Sequence, residues 1–342
     1  MRKLRVMVLM HQDLVPPENP NSEGVDLASV AWKTEFDVLT TLTDLGHDVT
    51  ALGVRDDLRV IDQVVNEWKP HIAFNLLEEF NGNPEFDQNV VSYLELLGVP
   101  YTGCNPKGLV LTRDKGWSKK IMAYHGIRCP DFAVFPMGRG IKWTGEFPFP
   151  VIVKSISEEA SLGISQASIV HDEDKLKERV DFVHQHVGTS AIAERYIEGR
   201  ELYVGVLGNR RLQVLPVWEL DLKNLPPDAL PIATARVKWS VKYQKKYDIQ
   251  SGEVEGLSPK LVRAIQRTAK RAYHILGLNG YARMDFRLDS QNRLYFLEAN
   301  PNAQLAYGED LAESAERAGM SYEALIQRIL NIGLNWKPEA QR

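Results

Sequence analysis

Short apolar runs alternate with amphipathic stretches through the first third of the chain. Leu4 to Met10 is a compact apolar run, read as a strand, and a polar, proline-bearing loop spans 12–23. From Ala31 to Leu45, Phe36, Leu39, Leu42 and Leu45 fall on one helical face, and Gly46 supplies a C-cap. Asp48 to Val54 reads as a strand, Leu58 to Trp68 as a helix and His71 to Leu76 as a strand. Such alternation predicts a mostly parallel sheet, which binds ligands beyond the carboxyl ends of its strands. The loops at His11 and at Glu78-Glu79 are therefore candidate substrate positions. Neither a G-x-G-x-x-G nor a G-x-x-x-x-G-K-[ST] motif occurs.

The pattern then changes. A helix beginning near Val90 leads to a Gly-Val-Pro turn, and Arg113-Asp114-Lys115 precedes another helix. Phe149 to Lys154 is an apolar strand ending in a lysine, which calls for an anionic partner or a solvent-facing end. Ser161-Leu162-Gly163-Ile164-Ser165 is a small-residue turn whose backbone N–H groups can converge on phosphate oxygens. Asp172 to Val187 reads as a helix with Leu176, Val180 and Val183 inward; its His184 and His186 are two apart and do not face each other. A strand ends at Glu194, an extended stretch follows, and Gly199 turns the chain into Glu201. Leu202 to Leu207 and Arg211 to Trp218 form a hairpin about Gly208-Asn209. A proline-rich loop (223–232) precedes an aromatic and basic segment, Ala235 to Ile249. Ser258-Pro259 opens a helix to Leu276, and Glu309 to Leu334 reads as helical.

The stretch from Tyr281 to Asn302 carries the densest chemistry. Arg283, Asp285 and Arg287 alternate with Met284, Phe286 and Leu288, a half-buried strand. Asp289 to Asn292 is a turn by composition, and Arg293 to Glu298 is the return strand. A four-residue loop sets Leu288 opposite Arg293 and Arg283 opposite Glu298. Arg283, Asp285 and Glu298 then share one face, with Asn300 on the same side. Two carboxylates, a carboxamide and an arginine suit a hard cation beside a phosphate; a surface hairpin with scattered charges is the plainer alternative.

Composition adds limits. The 342 residues allow two or three domains, and 44% hydrophobic with 25% charged residues is ordinary for a soluble globular chain. The net charge of −4 argues against broad nucleic-acid binding. Cys104 and Cys129 form no metal or redox motif and fit a reducing, cytoplasmic setting. The opening apolar run is broken by His11-Gln12-Asp13, unlike a signal peptide, and no stretch reaches membrane-spanning length.

The D-x-R-x-L and F-L-E-A-N-P-N pieces resemble the metal-binding hairpin of the ATP-grasp superfamily, in particular of the D-alanine–D-alanine ligases. Six ordered elements carry the resemblance over nearly the whole chain. It implies an α/β (α+β) ATP-grasp fold: an N-terminal parallel-sheet domain (1–103), a central domain with a phosphate-covering flap (104–192) and a C-terminal antiparallel domain (193–342). It implies an ATP-dependent carboxylate–amine ligase working through an acyl phosphate. Asp285, Glu298 and Asn300 would hold Mg2+, two ions by analogy, with Mn2+ possible. Lys115, Lys154, Lys238 and the Ser161-Leu162-Gly163 flap would meet the ATP phosphates. Glu194, Ile197, Glu201 and Phe296 would meet the adenosine. Lys242 and Lys246 are rival registers for Lys238. Arg283 would steady the acyl phosphate, with Lys238 assisting. The partners implied are a small carboxylate and a small amine, and a homodimer through the first domain. A kinase acting on an alcohol and a non-catalytic ATP-binding module remain alternatives on the same fold.

Two stretches depart from the family. Where those ligases carry Pro-Gly-Met-Thr and a serine after the metal asparagine, this chain has Pro301-Asn302-Ala303-Gln304. Where they carry a Gly-Gly-Glu-Asp-Gly run, it has Glu78-Glu79-Phe80-Asn81-Gly82. Both regions set substrate choice, so D-alanine is not expected. Glu78, Glu79 and Asn302 are the candidate substrate residues, and the two glutamates favour an amine-bearing substrate.

Overall fold

The computed structural model describes residues 3–18, 26–27, 30–143, 147–157, 163–226 and 229–337. The first layer contains β1 (Arg5–His11), α1 (Lys33–Asp44), β2 (Asp48–Val54), α2 (Arg59–Glu67), β3 (Ile72–Asn75) and α3 (Asp87–Leu96). Its three strands are parallel in the order β2-β1-β3, with Arg5 beside Asp48 and Val6 beside Ile72. Alternation sorts the two faces of β1. Met7 and Leu9 pack with Ile61, Val90 and Leu94, while Val6, Val8 and Met10 pack with Val38 and Leu42 of α1.

The middle of the chain supplies α4 (Pro106–Arg113), α5 (Lys115–Tyr124), β4 (Phe132–Phe135), β5 (Val151–Ser155), β6 (Ile169–Val170), α6 (Glu173–Phe182) and β7 (Ala191–Arg195). Its strands form an antiparallel sheet in the order β4-β7-β5-β6. The helix expected from Asp172 to Val187 is regular only to Phe182. Val183–Val187 is a wider π turn ended by Gly188 at φ 77°. Ser161 and Leu162 of the expected flap lie outside the described residues, whereas Gly163 has a φ of 71° and its carbonyl accepts from Arg179.

The remainder contains β8 (Arg200–Leu207), β9 (Gln213–Asp221), α7 (Ala235–Trp239), α8 (Val241–Lys246), β10 (Gln250–Glu253), α9 (Pro259–Ile275), β11 (Tyr281–Leu288), β12 (Leu294–Pro301), α10 (Asp310–Arg317) and α11 (Tyr322–Leu334). Five antiparallel strands run β10-β9-β8-β11-β12. The helix expected over Glu309 to Leu334 is two helices, because Gly319 at φ 83° ends the first and Ser321 caps the second. The aromatic and basic segment, with a surface strand as its plainer reading, is helical. Thr234 and Ser240 cap α7 and α8 through their hydroxyls. No helix among the described residues is long and apolar enough to cross a membrane.

Two features bind the layers together. Leu325, Ile326, Ile329 and Leu330 of α11 fill the same core as Val6, Val8 and Met10 of β1. The segment after Tyr101 is bonded to the last sheet: Cys104 N–H donates to Asn302 Oδ1 at 2.7 Å and Asn105 N–H to Asn279 Oδ1 at 2.7 Å. The chains run so close there that a Cβ on Gly280 would stand 2.3 Å from the Gly103 carbonyl oxygen.

One helix carries an electrostatic cost. Glu35 sits in the first turn of α1, where a carboxylate is favoured by the helix dipole. It is nevertheless only 5% exposed, and its Oε2 is buried without a hydrogen-bond partner among the described residues. Burial pushes its carboxyl up to about 7 from an ordinary 4.5. The native state therefore holds this proton more tightly than the unfolded chain. The cost is absent below the unfolded value, grows as pH rises and is complete above the folded value. Glu35→Gln should raise stability by up to about 3 kcal/mol near pH 8 and leave it almost unchanged near pH 4. Urea unfolding at the two pH values checks this, and an equal effect at both would contradict it.

Candidate active site

The hairpin of β11 and β12 places its charges by a register that differs from the expected one. Leu288 pairs with Leu294, not Arg293, so the loop is one residue longer. A bulge between Asp285 and Phe286 then shifts the ladder, setting Asp285 opposite Glu298 and Arg283 opposite Asn300. The two departures leave the charged face intact. Arg283, Asp285, Glu298 and Asn300 still lie together, with the two carboxylates now directly cross-strand.

Asp285 is 4% exposed and fully engaged. Arg283 grips it through Nε at 2.8 Å and Nη2 at 2.9 Å, and Asn300 Nδ2 donates to it at 2.9 Å. The guanidinium also lies 4.4 Å from the Tyr203 ring and 3.7 Å from Asp310 Oδ2. Burial pushes the Asp285 carboxyl up to about 6 against the pull of Arg283, and Glu298 adds to the rise. Glu298 behaves oppositely. Burial alone would raise it, but Lys115, Lys154 and Lys238 outweigh that and hold it well below the usual carboxylate range.

Those lysines form a cluster. Lys115 Nζ is 3.6 Å and Lys154 Nζ 3.9 Å from Glu298 Oε2. Lys154 and the fully buried Lys119 stand 3.3 Å and 3.2 Å from Glu194 Oε1, and Lys119 also donates to the Leu297 carbonyl. Burial lowers the Lys119 ammonium despite Glu194. Lys119 was missed in the sequence, although it lies one helical turn beyond Lys115 on α5, a spacing that puts both on one face. Lys238 lines the space around Glu298, whereas the rival Lys246 lies 4.8 Å from the Tyr247 ring and neither it nor Lys242 lines that space.

The stretch between β7 and β8 borders a second, smaller hollow with Ile197, Glu194, Glu201, Lys154 and Glu298 on its wall. Glu201 is tied inward: Arg287 Nη2 donates to it at 2.6 Å and the Tyr203 hydroxyl at 2.8 Å. Arg287 also donates to the carbonyls of Gly199 and Pro231 at 3.0 and 2.6 Å, so it fastens this stretch to the hairpin. A Cβ on Gly199 would sit 2.1 Å from the Leu288 carbonyl oxygen, which explains glycine there. Phe296 lines neither space; it is fully buried, edge-on to Phe286 at 5.9 Å.

The main cleft, about 880 Å³, opens from Arg283, Glu298 and Asn300 toward the first sheet. Glu78, Glu79 and Asn302 all line it. Glu79 Oε1 is 3.3 Å from His11 Nε2, whereas Asn302, at φ 54°, uses its side-chain oxygen to hold the Cys104 N–H. The loop after β12 closes one side. Lys33 Nζ donates to Asp37 at 2.6 Å and to the Tyr307 carbonyl at 2.8 Å, and Asp37 accepts the Tyr307 N–H at 2.8 Å.

The arrangement suits a divalent cation held against phosphate. Two facing carboxylates and a carboxamide are hard oxygen donors, and two carboxylates with substrate phosphates are a usual Mg2+ set. The fastening of the stretch after β7 gives a direct test. Arg287→Met leaves Glu201 buried without its cation and should cost about 3–5 kcal/mol in denaturant unfolding. Arg287→Met with Glu201→Gln should recover much of that. A loss below about 1 kcal/mol in the single variant would mean the pair does not fasten the stretch.

Residues 121–331 match the family model described as D-ala D-ala ligase C-terminus. A D-alanine–D-alanine ligase from Syntrophotalea carbinolica is 33% identical over 307 residues, covering 88% of this chain and 90% of its own. The protein y4sG of Sinorhizobium fredii is 33% identical over 261 residues, 76% of this chain and 74% of the relative. The D-alanine–D-alanine ligase of Bacillus anthracis, solved in complex with ATP, superimposes with a TM-score of 0.75 at 22% identity, covering 97% of each chain. The hairpin, the lysine cluster and the three sheets thus stand in a chain that belongs to the D-alanine–D-alanine ligase family, within the ATP-grasp fold.

Proposed function

We propose that the hairpin of β11 and β12 is the reaction centre of this ATP-dependent carboxylate–amine ligase. The observation that carries the reading is the convergence of buried lysines on the carboxylates around Glu298. Lys115, Lys119 and Lys154 face two carboxylates, Glu194 and Glu298. A triphosphate bound beside them would meet Lys115 and Lys154.

The residues then divide the work. Lys115, Lys154 and Lys238 hold the phosphates of ATP, and Ile197 with the backbone of the stretch after β7 receives the base. Asp285, Glu298 and Asn300 would hold Mg2+, two ions by analogy. When bound, the metal neutralises phosphate charge and orients the transferred group. The substrate carboxylate oxygen attacks the γ-phosphorus, the bond to the β-phosphate oxygen breaks, and ADP leaves. The amine, in its neutral form, attacks the carbonyl carbon of the acyl phosphate. Arg283 steadies the oxyanion that forms there, and its grip on Asp285 and Tyr203 keeps the guanidinium from swinging away. Inorganic phosphate leaves and the nitrogen loses its proton.

The substrates are a small carboxylate and a small amine. D-alanine is not assigned, because Pro301-Asn302-Ala303-Gln304 and Glu78-Glu79 replace the family's substrate turns.

Phosphate release from ATP and Mg2+ is the test, over pairs of amino acids, dipeptides and amines. Release should require two substrates and accompany an amide product, and Asp285→Ala should abolish it. Arg283→Met should lower kcat by about 10²–10³-fold with nucleotide affinity changed only a few-fold. A stable phosphoester without phosphate release would replace the ligase reading with a kinase.

A further inference from the structure

A third hollow stands apart from the cleft and takes no part in the reaction above. It measures about 690 Å³ and shares no wall residue with the two spaces at the hairpin. Arg210 and Arg211 reach it from the turn between β8 and β9, Arg328 from α11, and Lys337 from the chain beyond that helix. Among the described residues no carboxylate stands on its wall. The molecule as a whole has the opposite bias, with 45 acidic and 41 basic residues. Arg210, Arg211 and Arg328 are exposed and form no ion pair among the described residues. The end of α11 does not account for them. A helix C-terminus favours cations because its last carbonyls lack partners. Here neutral groups serve those carbonyls. Asn335 Nδ2 donates to the Asn331 carbonyl at 2.7 Å, Asn209 Nδ2 to that of Ile332 at 2.9 Å, and the Trp336 N–H to that of Gly333 at 3.0 Å. The walls are also held in place. The Gly208 N–H donates to the Gly280 carbonyl at 2.8 Å, the Tyr273 hydroxyl to the Gly208 carbonyl at 2.7 Å, and Trp336 Nε1 to the Tyr101 hydroxyl at 2.9 Å.

We propose that this hollow is a second anion site, taking a small soluble molecule that carries two or more phosphate groups. Charge and shape set the chemistry. Guanidinium forks match pairs of phosphate oxygens. Arginines on two separate elements suit an anion whose charge is spread over more than one group. The volume lies within the range of small-molecule pockets, whereas a flat membrane surface would meet only the rim. Like charges held on one concavity repel each other, and an anion between them removes that repulsion. Its binding therefore stabilises the folded chain as well. The site also adjoins the joint between the first layer and the last sheet. Trp336 is bonded to Tyr101, and three residues further on Cys104 is bonded to Asn302 on the wall of the cleft.

The test is calorimetric titration of the full chain with inorganic pyrophosphate, after one equivalent of a non-hydrolysable ATP analogue with Mg2+ has filled the nucleotide site. The wild type should take up one pyrophosphate. Its affinity should fall at least about tenfold when Arg210→Gln and Arg211→Gln are combined, and again at least about tenfold in Arg328→Gln alone. Affinity for the ATP analogue should stay within about twofold of wild type in both variants, which separates this hollow from the nucleotide site. Pyrophosphate should also raise the melting temperature of the wild type more than that of either variant. Melting curves without ligand establish that both variants fold, as expected for exposed side chains. No uptake of pyrophosphate, equal uptake in wild type and variants, or a matching fall in affinity for the ATP analogue would overturn the proposal. So would binding to phosphatidylserine vesicles or to an oligonucleotide that both variants lose while pyrophosphate stays inert, since the face would then serve a macromolecule.

Discussion

The structure depends on keeping charge in a dry place. Lys115, Lys119 and Lys154 converge on Glu194 and Glu298 from α5 and β5, elements of the middle layer, while Glu298 belongs to the last sheet. Ammonium groups buried this deeply are tolerated only when paired, and here the pairing crosses between layers. The cluster therefore fixes where the middle layer stands relative to the hairpin. On the proposed reading, packing and nucleotide recognition draw on one set of interactions.

Much of this was legible in the chain. The βα alternation announced the parallel sheet, because a 3.6-residue repeat following an apolar run has few other solutions. The charged face of the hairpin was legible for a more delicate reason. A loop one residue longer than expected should have turned Glu298 away from Asp285, and the bulge after Asp285 restored it. Neither departure is visible in side-chain alternation, which records faces and not partners. The split at Gly319 was in principle readable, since a glycine followed by serine is a stop and a start.

What stayed hidden depends on the third dimension. Nothing local says that α11 covers β1, at the opposite end of the chain. Glu201 looked like one of two acids beside a turn, but Arg287 draws it into the sheet. Glu35 drew no reading from the sequence, because its burial at a helix start is set by packing from elsewhere in the chain. Asn302 was read as facing substrate; it lines the cleft, yet its side-chain oxygen joins two layers.

These contrasts suggest how one scaffold can keep a reaction while changing what it joins. The lysine-rich end is built from side chains that also pair across the layers, so substitution there disturbs the layers as well. The opposite end is built from loops and a helix start. There, Lys33 and Asp37 latch the Tyr307 loop, and Glu35, Glu78 and Glu79 line the cleft. Groups in such loops can be exchanged at modest structural cost, because few buried contacts run through them. Glu35 is the exception in that region, since it is buried at a cost to stability.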